Sequence, residues 1–396
     1  MGNNHRSRKV LIITQYFPPD ITAAAFRLGE LRKFLIDKGF KVDVLTSQPH
    51  KIILEDSNKV YKDDGIFRIK ISSKRHISQY IQFVLKGKKL VRKLGRYDYV
   101  LVSSPPMFVF SIAKAVKAKK ILLDVRDIWP DSAVGVGKLG DGLLYKYFKK
   151  KELRMYLDSD QIFCVSTPMA KYITAVSGKN PVVVYNGIPK RDLEKIYEFK
   201  PIRNYKNDGI FRIGYFGNVG LAQGMELLPE SIKIVSKELG LNISFEIIGT
   251  GVKMEKLKEL ARKYGVSERF KFIKPMNRED VLRYSIEKFD ALFINLAPNP
   301  VFEKTIPSKI FDYLLVGKPV ISGINGEGKM ILESTDACVI FQQDSPESLA
   351  EAIKLTIQNY DDLSKNALKN MRKVAATYTR EESFEKVARV LEEDGD

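Results

Sequence analysis

The amino-acid sequence predicts an α/β fold built from two doubly wound domains. Short apolar runs rich in β-branched residues alternate with segments whose apolar residues recur every three or four positions, as buried parallel strands and their covering helices do. That alternation runs through the first half, pauses over a polar stretch from Pro189 to Asp208, and begins again at Phe211. The length of 396 residues suits two domains, each with its own core. A content of 44% hydrophobic and 29% charged residues excludes a disordered or collagen-like chain.

Taken in order, Lys9 to Thr14 reads as a strand, followed by a helix in which Leu28, Leu31 and Leu35 share a face and Gly39 closes the end. Strands beginning at Val42, Tyr99, Ile121, Gln161 and Val182 follow, with helices between most of them. In the second half a strand at Phe211 leads to a helix carrying Met225, Leu228, Ile232, Val235 and Leu239 at helical spacing. Strands at Ser244, Phe270, Ala291, Lys318 and Cys338 alternate with helices at 253–264 and 310–316, and Leu349, Ala352 and Ile353 share a face of a later helix. The expected boundaries are 1–190, a linker at 191–208, 209–378, and a terminal helix at 379–396 that is a candidate to cross back to the first domain.

Several chemistries drop out early. Cys164 and Cys338 sit in apolar runs and read as small core residues, so no disulfide framework or zinc knuckle is expected. The three histidines, His5, His50 and His76, are too scattered to share a helix face as metal ligands. The N-terminus leads directly into a strand, no signal peptide is read there, and no apolar run reaches bilayer length. A cytoplasmic protein is expected.

The net charge of +18 is unevenly placed: residues 1–200 hold 38 basic and 19 acidic side chains, and the remainder 28 and 29. The first half therefore faces an anionic partner, nucleic acid or membrane. Two helical stretches carry much of the excess. In one, Ile77, Ile81, Val84, Val91 and Leu94 are interleaved with Lys86, Lys88, Lys89, Arg92, Lys93 and Arg96; in the other, Leu144, Tyr147, Phe148 and Met155 sit among Lys146, Lys149, Lys150, Lys151 and Arg154. Such helices suit an anionic headgroup interface, or pack their apolar stripe on the core and leave the lysines solvated.

In doubly wound sheets ligands bind where strands end and helices begin. The turn GNVGLAQG, Gly217 to Gly224, follows the strand at Phe211, and its glycines let backbone N–H groups approach an anion; it is also ordinary turn chemistry. In NPVFEKTIPSKIFDYLLVGKPVIS, Pro307 and Ser308 start a helix, Lys309 adds a cation, and Asp312 lies one turn on. A cation with free N–H groups suits a diphosphate and a carboxylate one turn away suits a ribose diol; the alternative is a capped helix with a surface Lys309–Asp312 pair.

Together with NGIP (Asn186 to Pro189), IIGTG (Ile247 to Gly251), GKPVI and the N-terminal YFPPD with Arg27 downstream, these motifs make the sequence resemble the retaining GT-B glycosyltransferases of glycosyltransferase family 4 over nearly its whole length. Within that family it is most similar to bacterial surface-polysaccharide transferases, including fucosamine-type enzymes, which share a turn like RDIWPDS. The resemblance implies two Rossmann-like domains facing a cleft, with a nucleoside-diphosphate sugar on the C-terminal one. It implies that Asp312 holds the ribose, that Pro307, Ser308 and Lys309 form the diphosphate loop, and that Gly217, Asn218, Gln223, Gly249 and Thr250 belong to the donor site.

The sequence also departs from the family. Where a second acid is usual, eight positions before Asp312, stands Lys304 with Glu303 beside it; either is a candidate to approach the sugar. Asn218 and Gln223 replace an Arg and a Lys that clamp the diphosphate, leaving more to Lys309. Ala23, Ala24 and Ala25 replace an N-terminal glycine loop. In DVRDIWPDSAVG, where many members have a histidine, Asp127 is the candidate to orient or deprotonate the acceptor hydroxyl, and Arg126, with Arg27, to hold an acceptor phosphate. The alternative is that Asp127 caps the following segment and pairs with Arg126, with Trp129 in the core.

The expected activity is retaining transfer of a hexose derivative from a UDP-sugar to a polyprenyl-diphosphate-linked saccharide in envelope polysaccharide synthesis. It would run without metal or other cofactor, on the inner face of the cytoplasmic membrane. The basic first domain would meet anionic lipid rather than nucleic acid. A UDP-sugar epimerase of the same fold, or a non-enzymatic basic protein binding lipid or nucleic acid, are the alternatives.

Overall fold

The computed structural model describes residues 7–20, 22–49, 64–72, 76–196, 205–239 and 242–393. His5, His50, the first six residues, residues 197–204 within the expected linker and the last three residues of the expected terminal helix lie outside the described residues, as do the side chains of Ile77 and Leu239. The chain forms two units, one of residues up to Asn186 and from Glu381 onward, the other Gly187–Arg380.

In the first unit β1 (Lys9–Ile13), β2 (Lys41–Ser47), β3 (Ile66–Ile69), β4 (Tyr97–Ser104), β5 (Ala118–Val125), β6 (Gln161–Cys164) and β7 (Val182–Val183) make one sheet in the order β3-β2-β1-β4-β5-β6-β7. Every pairing is parallel. Its helices are α1 (Ala23–Asp37), α2 (His76–Val91), α3 (Phe110–Ala113), α4 (Asp131–Gly135), α5 (Leu143–Leu157) and α6 (Thr167–Ser177). Helix α1 starts where the Thr22 hydroxyl accepts the Ala25 N–H at 3.1 Å, and ends beside Gly39, whose φ of 90° a side chain would disfavour. Its buried face carries Leu28, Leu31 and Leu35 against Val10, Ile12 and Val44.

The second unit contains α7 (Lys190–Lys195), β8 (Ile210–Phe216), α8 (Leu228–Leu239), β9 (Asn242–Ile248), α9 (Met254–Tyr264), β10 (Phe270–Ile273), α10 (Arg278–Lys288), β11 (Ala291–Asn295), α11 (Lys309–Val316), β12 (Val320–Gly323), α12 (Gly326–Glu333), β13 (Cys338–Ile340), α13 (Pro346–Gln358), α14 (Tyr360–Asn366) and α15 (Arg372–Ala376). The strands run parallel in the order β10-β9-β8-β11-β12-β13. The final helix, α16 (Arg380–Glu393), places Phe384, Val387, Ala388 and Leu391 in the core of the first unit.

Three details differ from the sequence expectation. Strand β3, at the sheet edge, was not anticipated: its side chains are mostly half-buried, so it lacks the apolar run that marks the central strands. The expected linker opens with α7, which belongs to the second unit; Asp192 on it pairs with Arg278, and Tyr205 packs against Phe211 and Tyr360 with ring centroids 5.2 and 5.1 Å away. The helix expected from Met225 begins at Leu228, after tight turns at 221–223 and 225–227 separated by Gly224 with φ 54°.

Candidate functional site

In each sheet the strand order reverses once, at β1/β4 and at β8/β11, so the connections on either side diverge and open a crevice at the strand carboxyl ends. In the second unit that place is built from bare backbone. Gly217 follows β8 and Gly249 follows β9; a Cβ on Gly249 would stand 2.0 Å from the Gly217 carbonyl oxygen, and one on Gly251 would stand 2.1 Å from that of Val219. The turns are sewn together by the Val219 N–H donating to the Thr250 carbonyl at 2.8 Å and the Gly217 N–H to that of Ile248 at 2.9 Å. Only glycine permits this approach, which explains GNVG and IIGTG as packing requirements.

Lys309, the first residue of α11, lays its side chain over this backbone: a Cβ on Gly217 would meet its Cε at 2.6 Å, and its ammonium sits 5.1 Å from the centre of the Tyr215 ring. It forms no ion pair among the described residues, so a half-buried cation stands over the glycine turn without a counter-charge. Ser308, before it, makes no side-chain cap, and Pro307 precedes that. Asn218 is exposed, whereas the Gln223 side chain turns back to accept the Gly220 N–H at 2.9 Å.

The alternative Lys309–Asp312 pair does not form. Asp312 accepts from Arg278 at 2.6 Å, and the same guanidinium bonds Asp192. Burial opposes the charge of Arg278, but the two carboxylates hold its pKa above the ordinary arginine value. Glu303 is exposed on the turn at 302–304 and accepts from the Asn325 amide at 3.3 Å; Lys304 next to it is half-buried.

In the first unit Arg27 and Arg126 converge on Asp124 at the end of β5. Arg27, expected to reach an acceptor, is 1% exposed; it donates to Asp124 at 3.1 Å and to the carbonyls of Tyr185 and Val184 at 2.8 and 3.0 Å. Its guanidinium is enclosed by the fold and ties α1 to the chain after β7. Arg126 donates to the Ser103 hydroxyl at 2.8 Å and the Pro105 carbonyl at 2.9 Å, and remains partly exposed. Burial lowers its pKa, with Arg27 adding to the effect and Asp124 opposing it. Asp127 is half-buried; burial raises its pKa, against hydrogen bonds from Ser132 and the Ile128 backbone. Its carboxyl faces Ser132 and the Ile128 backbone, while Arg126 directs its hydrogen bonds to Ser103 and Pro105.

Sequence reasoning missed Arg278 and Asn295. Arg278 has no motif around it, since its role comes only from folding α7 and α11 to either side. Asn295 had a signal: it is a polar residue ending the apolar strand ALFIN, and it is 2% exposed with its Oδ1 unpartnered while its Nδ2 donates to the Gly224 carbonyl at 3.0 Å. Among the described residues no cluster of His, Cys, Asp and Glu gathers as a metal cage.

The two parallel sheets, each with one reversal of strand order, are those of the GT-B fold. Residues 24–191 match the family model described as Glycosyltransferase Family 4, and residues 197–374 the model described as Glycosyl transferases group 1; the protein is a glycosyltransferase of this kind. It is 22% identical over 264 residues to the probable glycosyltransferase WbjE of Pseudomonas aeruginosa, a match spanning 63% of this chain and 62% of that protein. Its fold is that of sucrose-phosphate synthase from Thermosynechococcus elongatus, with a TM-score of 0.72, 13% identity and 98% of each chain covered. It is likewise that of Anabaena Alr3699/HepE in complex with UDP and glucose, with a TM-score of 0.69, 14% identity, and 98% of this chain and 100% of that one covered.

Proposed function

We propose that the protein transfers a sugar, with retention, from a UDP-sugar to a polyprenyl-diphosphate-linked saccharide in surface-polysaccharide synthesis, working at an anionic membrane surface. The observation that carries the donor half is Lys309, a cation without counter-charge above the backbone of Gly217 at the strand-order reversal. A diphosphate supplies the missing charge, and the start of α11 beside Lys309 receives its oxygens. Asp312, oriented by Arg278, accepts from ribose hydroxyls. The UDP bound by HepE and the surface-polysaccharide likeness of the sequence support the same reading.

Retention without an enzymic nucleophile requires front-face attack, in which the leaving diphosphate takes the acceptor proton and the enzyme contributes positioning and charge stabilisation. Asp127 is the acceptor-side group proposed to orient the attacking hydroxyl. The chemistry needs no metal, because Lys309 and backbone dipoles face the leaving group.

Titration calorimetry with UDP tests the donor site. Removing one charge-assisted contact costs about 1.5–3 kcal/mol, so Lys309→Met should weaken UDP binding roughly 10- to 100-fold. Unchanged affinity overturns the assignment of Lys309. In a turnover assay, UDP release that depends on a polyprenyl-diphosphate acceptor supports the transferase reading, whereas a new UDP-sugar isomer without UDP release identifies an epimerase.

A further inference from the structure

Helix α5 buries a carboxylate beside Met155 and Tyr156 and turns other apolar side chains outward. Its buried side carries Glu152, 1% exposed, which accepts from the hydroxyls of Tyr156 at 2.9 Å and Tyr172 at 3.1 Å and pairs with Lys149. Its outward side carries Leu143, 86% exposed, together with Leu144 and Tyr147. At 100° per residue, Leu143, Tyr147, Lys150, Lys151 and Arg154 fall on one arc of the helix. Lys146, Lys150, Lys151 and Arg154 are exposed and form no ion pair among the described residues.

Beside this face lies a cavity of about 500 Å³ between α2, the turn at 107–110 and α5, walled by Ile81, Val84, Leu85, Phe108, Tyr147 and Phe148. Ile81 and Leu85 are more than half exposed at its mouth. Lys114 at the rim is paired with Asp158, whereas Lys151 and Arg154, also at the rim, are not paired. The volume lies within the range of sites for small organic ligands, yet the walls offer little to hydrogen-bond and the surroundings are cationic.

We propose that this groove receives an acyl chain of an anionic phospholipid while the unpaired cations of α5 meet the headgroups around it. The proposal rests on the membrane half of the function proposed above and extends it: the protein would not only lie on the bilayer but draw one lipid chain between α2 and α5. Charge complementarity selects an anionic bilayer lipid, because an uncharged apolar ligand would leave Lys150, Lys151 and Arg154, three cations on one helix face, unmatched.

The sole tryptophan reports on the groove. Trp129 packs on two of its walls, with ring centroids 5.7 Å from Phe108 and 4.7 Å from Phe148. The full-length protein should float with phosphatidylglycerol vesicles and not with phosphatidylcholine vesicles, and phosphatidylglycerol brominated along its acyl chains should quench Trp129 fluorescence at least twofold. Lys150→Glu with Arg154→Glu should abolish flotation. Ser111→Phe, which fills the groove and leaves every cation in place, should keep flotation and lose the quenching. Flotation of the wild type without quenching overturns the groove and leaves membrane docking intact. Failure to float on anionic vesicles overturns both.

Discussion

Asp127 has two claims on it, as a carboxyl set beside Ser132 and the Ile128 backbone and as the acceptor-side group proposed above, and one substitution separates them. Because burial raises its pKa, the folded protein holds this proton at pH values where the unfolded chain has released it. Stability from this group is therefore full below the ordinary carboxylate pKa and declines as pH rises from there through the raised folded value. Asp127→Asn removes that slope, so the variant should melt no lower than wild type at neutral pH, while turnover falls roughly 10- to 100-fold if the carboxyl orients the acceptor hydroxyl. Turnover near the wild-type rate at an unchanged melting temperature leaves Asp127 no role at the acceptor. Motif positions in the second unit could be read in the sequence because their glycines answer a backbone need: Gly249 cannot carry a Cβ 2.0 Å from the Gly217 oxygen. Arg27 was misjudged for the opposite reason. A lone arginine downstream of YFPPD says nothing of the two backbone carbonyls that enclose it, because they come from residues more than 150 positions away.

At the scale of elements, central strands were legible because strands buried on both faces must be continuously apolar, and edge pieces were not. Strand β3 gains its place by pairing along β2 and helix α7 through long-range partners such as the Asp192–Arg278 pair, and neither leaves a local pattern. Helix α5 shows a subtler limit. Its apolar and basic residues were counted correctly, but periodicity cannot say which side faces the core when the core side is held by a polar network. That network gives a prediction. Glu152→Ala leaves the Tyr156 hydroxyl without its acceptor and leaves Lys149 and the Tyr172 hydroxyl to Asp131, and an unmet buried polar group costs about 1–3 kcal/mol. Glu152→Gln keeps an acceptor oxygen and should lose visibly less. Denaturant unfolding that ranks Ala far below Gln supports the network as what turns the leucines outward; equal losses mean that α5 is held by Met155 and Tyr156 packing instead.

At the scale of the whole molecule, the chain leaves and re-enters the first unit through paired backbone. The Ile188 N–H donates to the Tyr378 carbonyl at 2.8 Å and the Arg380 N–H to that of Ile188 at 2.9 Å, and Gly187 at φ 56° has no room for a Cβ, which would lie 2.8 Å from the Tyr378 oxygen. The NGIP motif is thus a requirement of this return path, after which α16 completes the first core. Phe384 lies 5.8 Å from Phe34 centroid to centroid, and the Tyr99 hydroxyl donates to the Leu391 carbonyl at 3.0 Å. Burying Phe384, Val387 and Leu391 contributes on the order of 5–9 kcal/mol at about 1.5–3 kcal/mol per large apolar side chain, comparable to the whole stability of a domain. Phe384→Ala, costing about 3–5 kcal/mol, should therefore lower the melting of the first unit while leaving the second unit's own core untouched. UDP, if it binds at Lys309 as proposed, stabilises only what it touches, by an amount set by its concentration over its dissociation constant. Calorimetry of the Phe384→Ala protein should then show two resolved transitions, of which saturating UDP raises the upper and leaves the lower in place. A single transition that moves as one with UDP would mean that the two cores unfold together and that α16 stabilises the entire chain.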